Sequence, residues 1–180
     1  MRSFFSLLYS FILFISLASI FLYLIGQIII TQKVEKQIIL LEGKLQTNPK
    51  ISDNNYKLGQ IYLRKNFYEK AVNLFRDALK YWNKNDKIGL GSLYNTLGFT
   101  YFRLKQYDYA KYYYLQAIKL LPDYTLALTN LGLIYETQKM YLAAYDIYKK
   151  VLIYDTQNKI ALNRLKLMKG KLNLIRDGRT

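Results

Sequence analysis

Residues 91–122 read GSLYNTLGFTYFRLKQYDYAKYYYLQAIKLLP, and the frame inside this stretch decides the fold. Tyr94, Leu97, Gly98, Tyr101, Ala110, Tyr114 and Ala117 return 34 residues later as Leu128, Leu131, Gly132, Tyr135, Ala144, Tyr148 and Val151. An earlier copy, with Leu58, Gly59, Tyr62, Ala71, Phe75 and Ala78 in the same roles, is offset by 39 residues, so about five are inserted around Asn85 to Gly89. The apolar spacing within each copy is helical. A single helical hairpin cannot bury its apolar face alone, and three stacked copies are about the minimum for a stable array.

This frame resembles the tetratricopeptide repeat, which carries a large apolar residue at position 4, Leu, Gly and Tyr at 7, 8 and 11, Ala at 20, an aromatic at 24, Ala at 27 and Pro at 32. With repeats at 52–85, 91–124 and 125–158, the middle copy matches throughout and ends on Pro122, which cannot continue a helix. The first copy departs with Asn55 and Asn83, and the third with Val151 and Thr156. The physical reading is that the Gly at position 8 and the Ala at position 20 are small because they face each other where two helix backbones approach. The resemblance implies an all-α protein whose three hairpins form a right-handed α-solenoid. Residues 159–176 continue the register as a capping helix, with Ile160, Leu162, Leu165, Leu172 and Ile175 expected toward the last repeat. Upstream, residues 31–51 form a linker or amphipathic helix, with Val34, Ile38, Leu41 and Leu45 at roughly helical spacing.

The segment 4–30 contains no charged residue. As a helix it spans roughly 40 Å at about 1.5 Å per residue, more than the roughly 30 Å of a bilayer core. We read it as an uncleaved transmembrane anchor. A signal peptide is the competitor, because Ser16, Leu17 and Ala18 have the small-x-small look of a cleavage site, but cleavage there would leave Ile20 to Ile30 as an apolar start. Arg2 precedes the span and Lys33, Lys36, Lys44 and Lys50 follow it, which puts the repeats on the cytoplasm-like side, the stroma in a plastid.

Composition narrows the function. The chain of 180 residues has a net charge of +15 and neither cysteine nor histidine. Disulfides, thiolate metal sites and cysteine nucleophiles are therefore excluded, and so are the commonest general base and neutral metal ligand. The aspartates are scattered at turns and helix surfaces, where capping explains them better than paired acid–base chemistry. An enzyme is not expected, nor a catalytic residue, a cofactor, a metal or a small-molecule substrate. Nineteen Tyr against nine Ala in a helical chain suggest an AT-rich coding sequence.

What the tetratricopeptide resemblance implies about function is a concave groove, lined by the first helices of the repeats, that holds a protein partner. The family's groove positions fall on Tyr56, Gln60, Leu63 and Arg64, then Asn95, Phe99, Phe102 and Arg103, then Thr129, Leu133 and Glu136. Aromatic residues and Arg are the side chains that most often dominate interface energy. The Lys and Asn clamp by which some relatives grip a chaperone's C-terminal carboxylate is not present in its usual form, since Tyr56, Gln60 and Thr96 stand there. The architecture and residue usage together resemble the plastid and cyanobacterial tetratricopeptide family linked to photosystem I assembly. That implies a scaffold in the chloroplast thylakoid membrane, facing the stroma, whose partners are photosystem I subunits or assembly factors. A bacterial inner-membrane protein facing the cytoplasm is the alternative location. Two other classes share the architecture: a membrane-anchored receptor for translocated polypeptides, and an RNA-binding tether acting through the basic C-terminal helix. The Leu-Gly-x-x-Tyr core favours protein over nucleic acid.

Overall fold

The computed structural model describes the backbone of residues 2–178 and the side chains of residues 8–178. The side chains of Arg2 and of the first four residues of the apolar segment lie outside the described residues. The chain is all-helical: α1 (Arg2–Thr47), α2 (Ser52–Arg64), α3 (Tyr68–Tyr81), α4 (Lys87–Arg103), α5 (Tyr107–Leu120), α6 (Thr125–Thr137), α7 (Tyr141–Tyr154) and α8 (Lys159–Arg176). The pairs α2–α3, α4–α5 and α6–α7 are the three hairpins, and each helix packs on its neighbours in chain order. The result is a solenoid.

The core explains the repeat frame, with one correction. A Cβ at Gly59 would stand 2.6 Å from the Phe75 ring, and one at Gly98 or Gly132 would stand 2.7 Å from the ring of Tyr114 or Tyr148. The atoms nearest each glycine are therefore those of the aromatic at position 24, where the frame suggested the alanine at position 20. Ala71, Ala110 and Ala144 are nevertheless completely buried, as are Phe75 and, to within 1%, Tyr114 and Tyr148. Each large flat ring lies against bare helix backbone, so the first helix of each hairpin can approach the second.

The insertion between the first two repeats lengthens a helix. Helix α4 begins at Lys87 and has 17 residues, against 13 in each of α2 and α6. Asp86 caps it, its side chain accepting from the Gly89 backbone N–H at 2.8 Å and from the Trp82 indole N–H at 3.1 Å. An N-cap oxygen of this kind satisfies a donor the helix cannot, worth about 1 kcal/mol.

Helix α8 also differs from expectation. Its docked face is Ala161 and Met168, with Leu165 and Leu172 half-buried, while Ile160, Leu162 and Ile175 are exposed. Among the described residues α8 packs chiefly on α7, and the flank where Leu162 lies is left uncovered. The helix caps the last hairpin with one stripe at helical spacing and leaves another open.

Helix α1 is a single helix of 46 residues with no break after the apolar stretch. From Leu8 to Ile30 every side chain is exposed except the half-exposed Ala18 and Gly26. It is long and apolar enough to cross a bilayer. Its last turns join the solenoid: Ile38 and Leu41 are buried against Leu58 and Ile61, with Val34 and Leu45 partly covered. Tyr62 donates to Glu42 Oε1 at 2.7 Å and Lys65 Nζ meets Glu35 Oε1 at 2.5 Å, so α2 runs antiparallel to α1. The Glu42 carboxylate accepting the phenol proton, helped by burial, pushes the Tyr62 pKa up to about 12.

Three predictions test this packing. Gly98→Ala forces its methyl group against the buried Tyr114 ring and should destabilise the solenoid by about 1–3 kcal/mol in denaturant titrations. Gly170→Ala, where nothing lies within 4 Å, should stabilise it by about 0.5–1 kcal/mol. Because the folded pKa of Tyr62 lies above its unfolded value, its contribution to the α1–α2 junction is complete below pH 10 and fades as pH rises toward 12. The difference in tyrosinate absorbance between the chain and Tyr62→Phe should titrate near 12; a midpoint near 10 would mean the Glu42 bond does not form in solution.

Candidate partner-binding groove

The first helices α2, α4 and α6 present a file of side chains that the solenoid brings to one cleft. Its volume is about 440 Å³, and it is lined by Gln60, Leu63 and Arg64 from α2, Asn95, Thr96 and Phe99 from α4, and Leu126 and Asn130 from α6. Five of the residues expected from the repeat register therefore meet here: Gln60, Leu63, Arg64, Asn95 and Phe99. Asn130 Nδ2 donates to Asn95 Oδ1 at 3.1 Å, tying α4 to α6 across the cleft floor. That bond leaves the NH₂ of Asn95 and the carbonyl oxygen of Asn130, a donor and an acceptor, without another side-chain partner among the described residues.

The other expected residues are engaged elsewhere. Tyr56 packs its ring on Phe75 and Trp82, with centroids 5.7 and 5.5 Å away, and so supports the first hairpin. Phe102 packs on the core of the middle repeats and against Tyr107. Arg103 lies over the Tyr68 ring, 5.0 Å from its centroid, hydrogen-bonds its hydroxyl, and reaches the edge of the groove at Phe99, 5.9 Å away. Thr129 donates its hydroxyl back to Thr125 O. Leu133 is half-buried on the same helix.

Glu136 is the clearest departure. Its carboxylate accepts from the Tyr148 hydroxyl at 2.5 Å and from Arg164 at 3.2 Å, joining α6, α7 and α8. Burial, with the Glu136 acceptor second, raises the Tyr148 pKa above the usual phenol range. A carboxylate committed in this way closes the third repeat rather than reading a ligand.

Leu126 and Asn130 were not named from the sequence, and Thr96 was named only as a clamp position. Thr96 and Asn130 share position 6 of successive repeats, which the groove set did not include, and Leu126 is an exposed leucine at position 2. The spacing held the first signal and the apolar character of the first turn of α6 held the second. Among the described residues no carboxylate pairs with Arg64 or Arg103, so the cleft has a cationic end. No group of three or more His, Cys, Asp or Glu that could hold a metal forms among the described residues.

Family models described as tetratricopeptide repeat match residues 51–123 and 126–158. A ycf37 protein of Guillardia theta is 39% identical over 160 residues, covering 89% of each chain. The chain belongs to the ycf37 family of tetratricopeptide-repeat proteins. The chain is also similar to the chloroplastic tetratricopeptide repeat domain-containing protein PYG7 of Arabidopsis thaliana, 29% identical over 152 residues that cover 84% of this chain and 50% of that one. Among solved structures, MamA protein superposes with a TM-score of 0.72 at 21% identity, over 83% of this chain and 78% of its own. That likeness concerns the fold.

The placement separates two variants that the register treats alike. Phe102→Ala removes a core ring and should cost about 2–4 kcal/mol of stability. Phe99→Ala, at 36% exposure, should leave the denaturation midpoint almost unchanged. Equal losses would mean that Phe99 belongs to the core and not to the groove.

Proposed function

We propose that this protein is a membrane-anchored scaffold that holds a protein segment in the α2–α4–α6 cleft during photosystem I assembly at the thylakoid membrane, with the repeats in the stroma. The observation that carries the reading is the cleft itself: an exposed aromatic, an amide donor and acceptor pair, and an unpaired arginine, on a solenoid continuous with an apolar helix. Phe99 and Leu126 offer apolar area, and Asn95 with Asn130 offers the complement of one peptide group. Arg64 favours an acidic residue in the bound segment. Catalysis is not required. Anchoring the cleft beside the assembly site raises the effective concentration of partner and receptor together, and reversible binding then suffices.

The plastid setting is supported by the chloroplastic relative PYG7 and by the length of α1. The orientation rests on the lysines that follow the apolar stretch. The photosystem I partner rests on the family resemblance.

The test is affinity capture from native membranes in mild detergent, comparing the chain with a Phe99→Ala, Asn130→Ala variant. Photosystem I subunits or assembly factors should be enriched over photosystem II and ribosomal background. The variant should stay in the membrane fraction and capture at least about tenfold less, because two groove contacts of about 1 kcal/mol or more are gone. Translocase components or ribonucleoprotein in their place would overturn the photosystem reading. Undiminished capture by the variant would overturn the cleft.

A further inference from the structure

The solenoid has two edges, and the contacts fix which one lies beside the apolar part of α1. Lys65, in the α2–α3 turn, pairs with Glu35, only five residues past Ile30. At about 1.5 Å per residue that turn sits roughly 8 Å beyond the end of the apolar stretch. The α4–α5 turn adjoins it: Leu104 closes a cleft with residues 66–70, and Arg103 lies on Tyr68. The α6–α7 turn continues the row, since Lys111 near the start of α5 lies over Tyr135 near the end of α6. The end of α8 completes it, Leu172 and Ile175 sharing a pocket with Lys139, Met140 and Leu142. One edge therefore runs from α1 through three hairpin turns to the C-terminal end of α8.

That edge has a distinct chemistry. Residues 65–67, 104–106 and 138–140 each contain one lysine, Lys65, Lys105 and Lys139, and no carboxylate. Exposed apolar side chains stand among them: Phe67 at 50%, Met140 at 46%, Leu142 at 62% and Ile175 at 48%. Of the carboxylates flanking the row, Glu35 is paired with Lys65, Glu136 with Arg164 and Asp177 with Arg176, which leaves Glu69 and Asp108. The opposite edge, formed by the connections between hairpins, carries Asp86, Asp123 and Asp155 among Lys50, Lys84, Lys87 and Lys159, so its lysines stand among carboxylates. Lysines interleaved with exposed apolar groups are the composition of a surface that lies on anionic lipid, with the ammonium groups at the headgroups and the apolar side chains just below.

We propose that the hairpin-turn edge of the solenoid docks on the surface of an anionic bilayer, so that the groove is held at a fixed attitude to the membrane. This rests on the reading that α1 spans the bilayer. A second copy is the poorer occupant, because pairing this edge with itself would bring lysine against lysine. The unbroken helix through Thr47 gives the docking a rigid arm: the domain cannot swing freely on a flexible linker, and a modest charge attraction decides its tilt.

The full chain, which has no native cysteine, takes single nitroxide labels cleanly. Labels are placed at Met140→Cys on the proposed edge, at Asp123→Cys on the opposite edge and at Leu17→Cys in α1. The chain is reconstituted in nanodiscs of phosphatidylcholine alone or of phosphatidylcholine and phosphatidylglycerol in equal parts. In anionic discs a water-soluble relaxant should reach the Met140→Cys label several-fold less than the Asp123→Cys label. The difference should vanish in neutral discs and shrink in the Lys105→Gln, Lys139→Gln variant, which keeps the Lys65–Glu35 tie and whose fold is checked by circular dichroism. Equal aqueous access at both positions with Leu17→Cys in lipid would overturn the docking edge and leave the anchor standing. Aqueous access at Leu17→Cys would overturn the anchor, and the docking with it.

Discussion

The contact between a glycine backbone and a buried aromatic ring is the constraint on which the solenoid depends. Gly59, Gly98 and Gly132 give Phe75, Tyr114 and Tyr148 room to lie within each hairpin. A methyl group there would overlap a ring that is already closed in, and a packed interior has no free volume to absorb it. The spacing between helices follows from this contact. So do the burial of Ala71, Ala110 and Ala144 and the pitch at which one hairpin stacks on the next. The groove inherits its width from the same source, because its walls are the outer faces of the helices that carry the glycines.

The second organising feature is the continuity of α1 with the stack. An apolar helix and a repeat domain joined by a loop would be mechanically independent. Here the helix continues past its apolar stretch, buries Ile38 and Leu41 against Leu58 and Ile61, and is fastened by Tyr62 to Glu42 and Lys65 to Glu35. The two exposed ends of such polar links contribute little individually, on the order of 1 kcal/mol or less for a surface ion pair. They act by fixing the rotation of α1 relative to α2, while the apolar contacts supply most of the stability. The attitude of the groove is therefore coupled to the attitude of the apolar helix.

Along the groove, the division between gripping and fastening is set by where hydrogen-bond partners lie. Asn95 and Asn130 spend one donor and one acceptor on each other and leave the remainder of their amides without a side-chain partner among the described residues. Glu136 spends its carboxylate on Tyr148 and Arg164, and the third repeat closes around it. Tyr56 and Phe102, at equivalent-looking surface positions, turn their rings into the stack. One file of positions thus provides both an open cleft and the structural ties around it.

The sequence by itself determined the hairpins, their number and order, the apolar helix before them and the capping helix after them. These follow from local periodicity: glycine, alanine and aromatic residues at fixed spacing leave one way to pack a helical hairpin. It also determined most of the cleft, because Gln60, Leu63, Arg64, Asn95 and Phe99 occupy repeat positions that geometry must bring to one face. Only the tertiary structure decided that each glycine meets the aromatic at position 24, that Asp86 extends α4 by a turn, and that α8 is docked by Ala161 and Met168 rather than by Ile160 or Leu162. It also decided which polar groups in the groove are free, since Glu136 is committed by Tyr148 and Arg164 from two other helices. Periodicity assigns a residue to a helix face. Which partner from another part of the chain reaches that face depends on rotamer, helix rotation and helix length, which become fixed only when the hairpins stack.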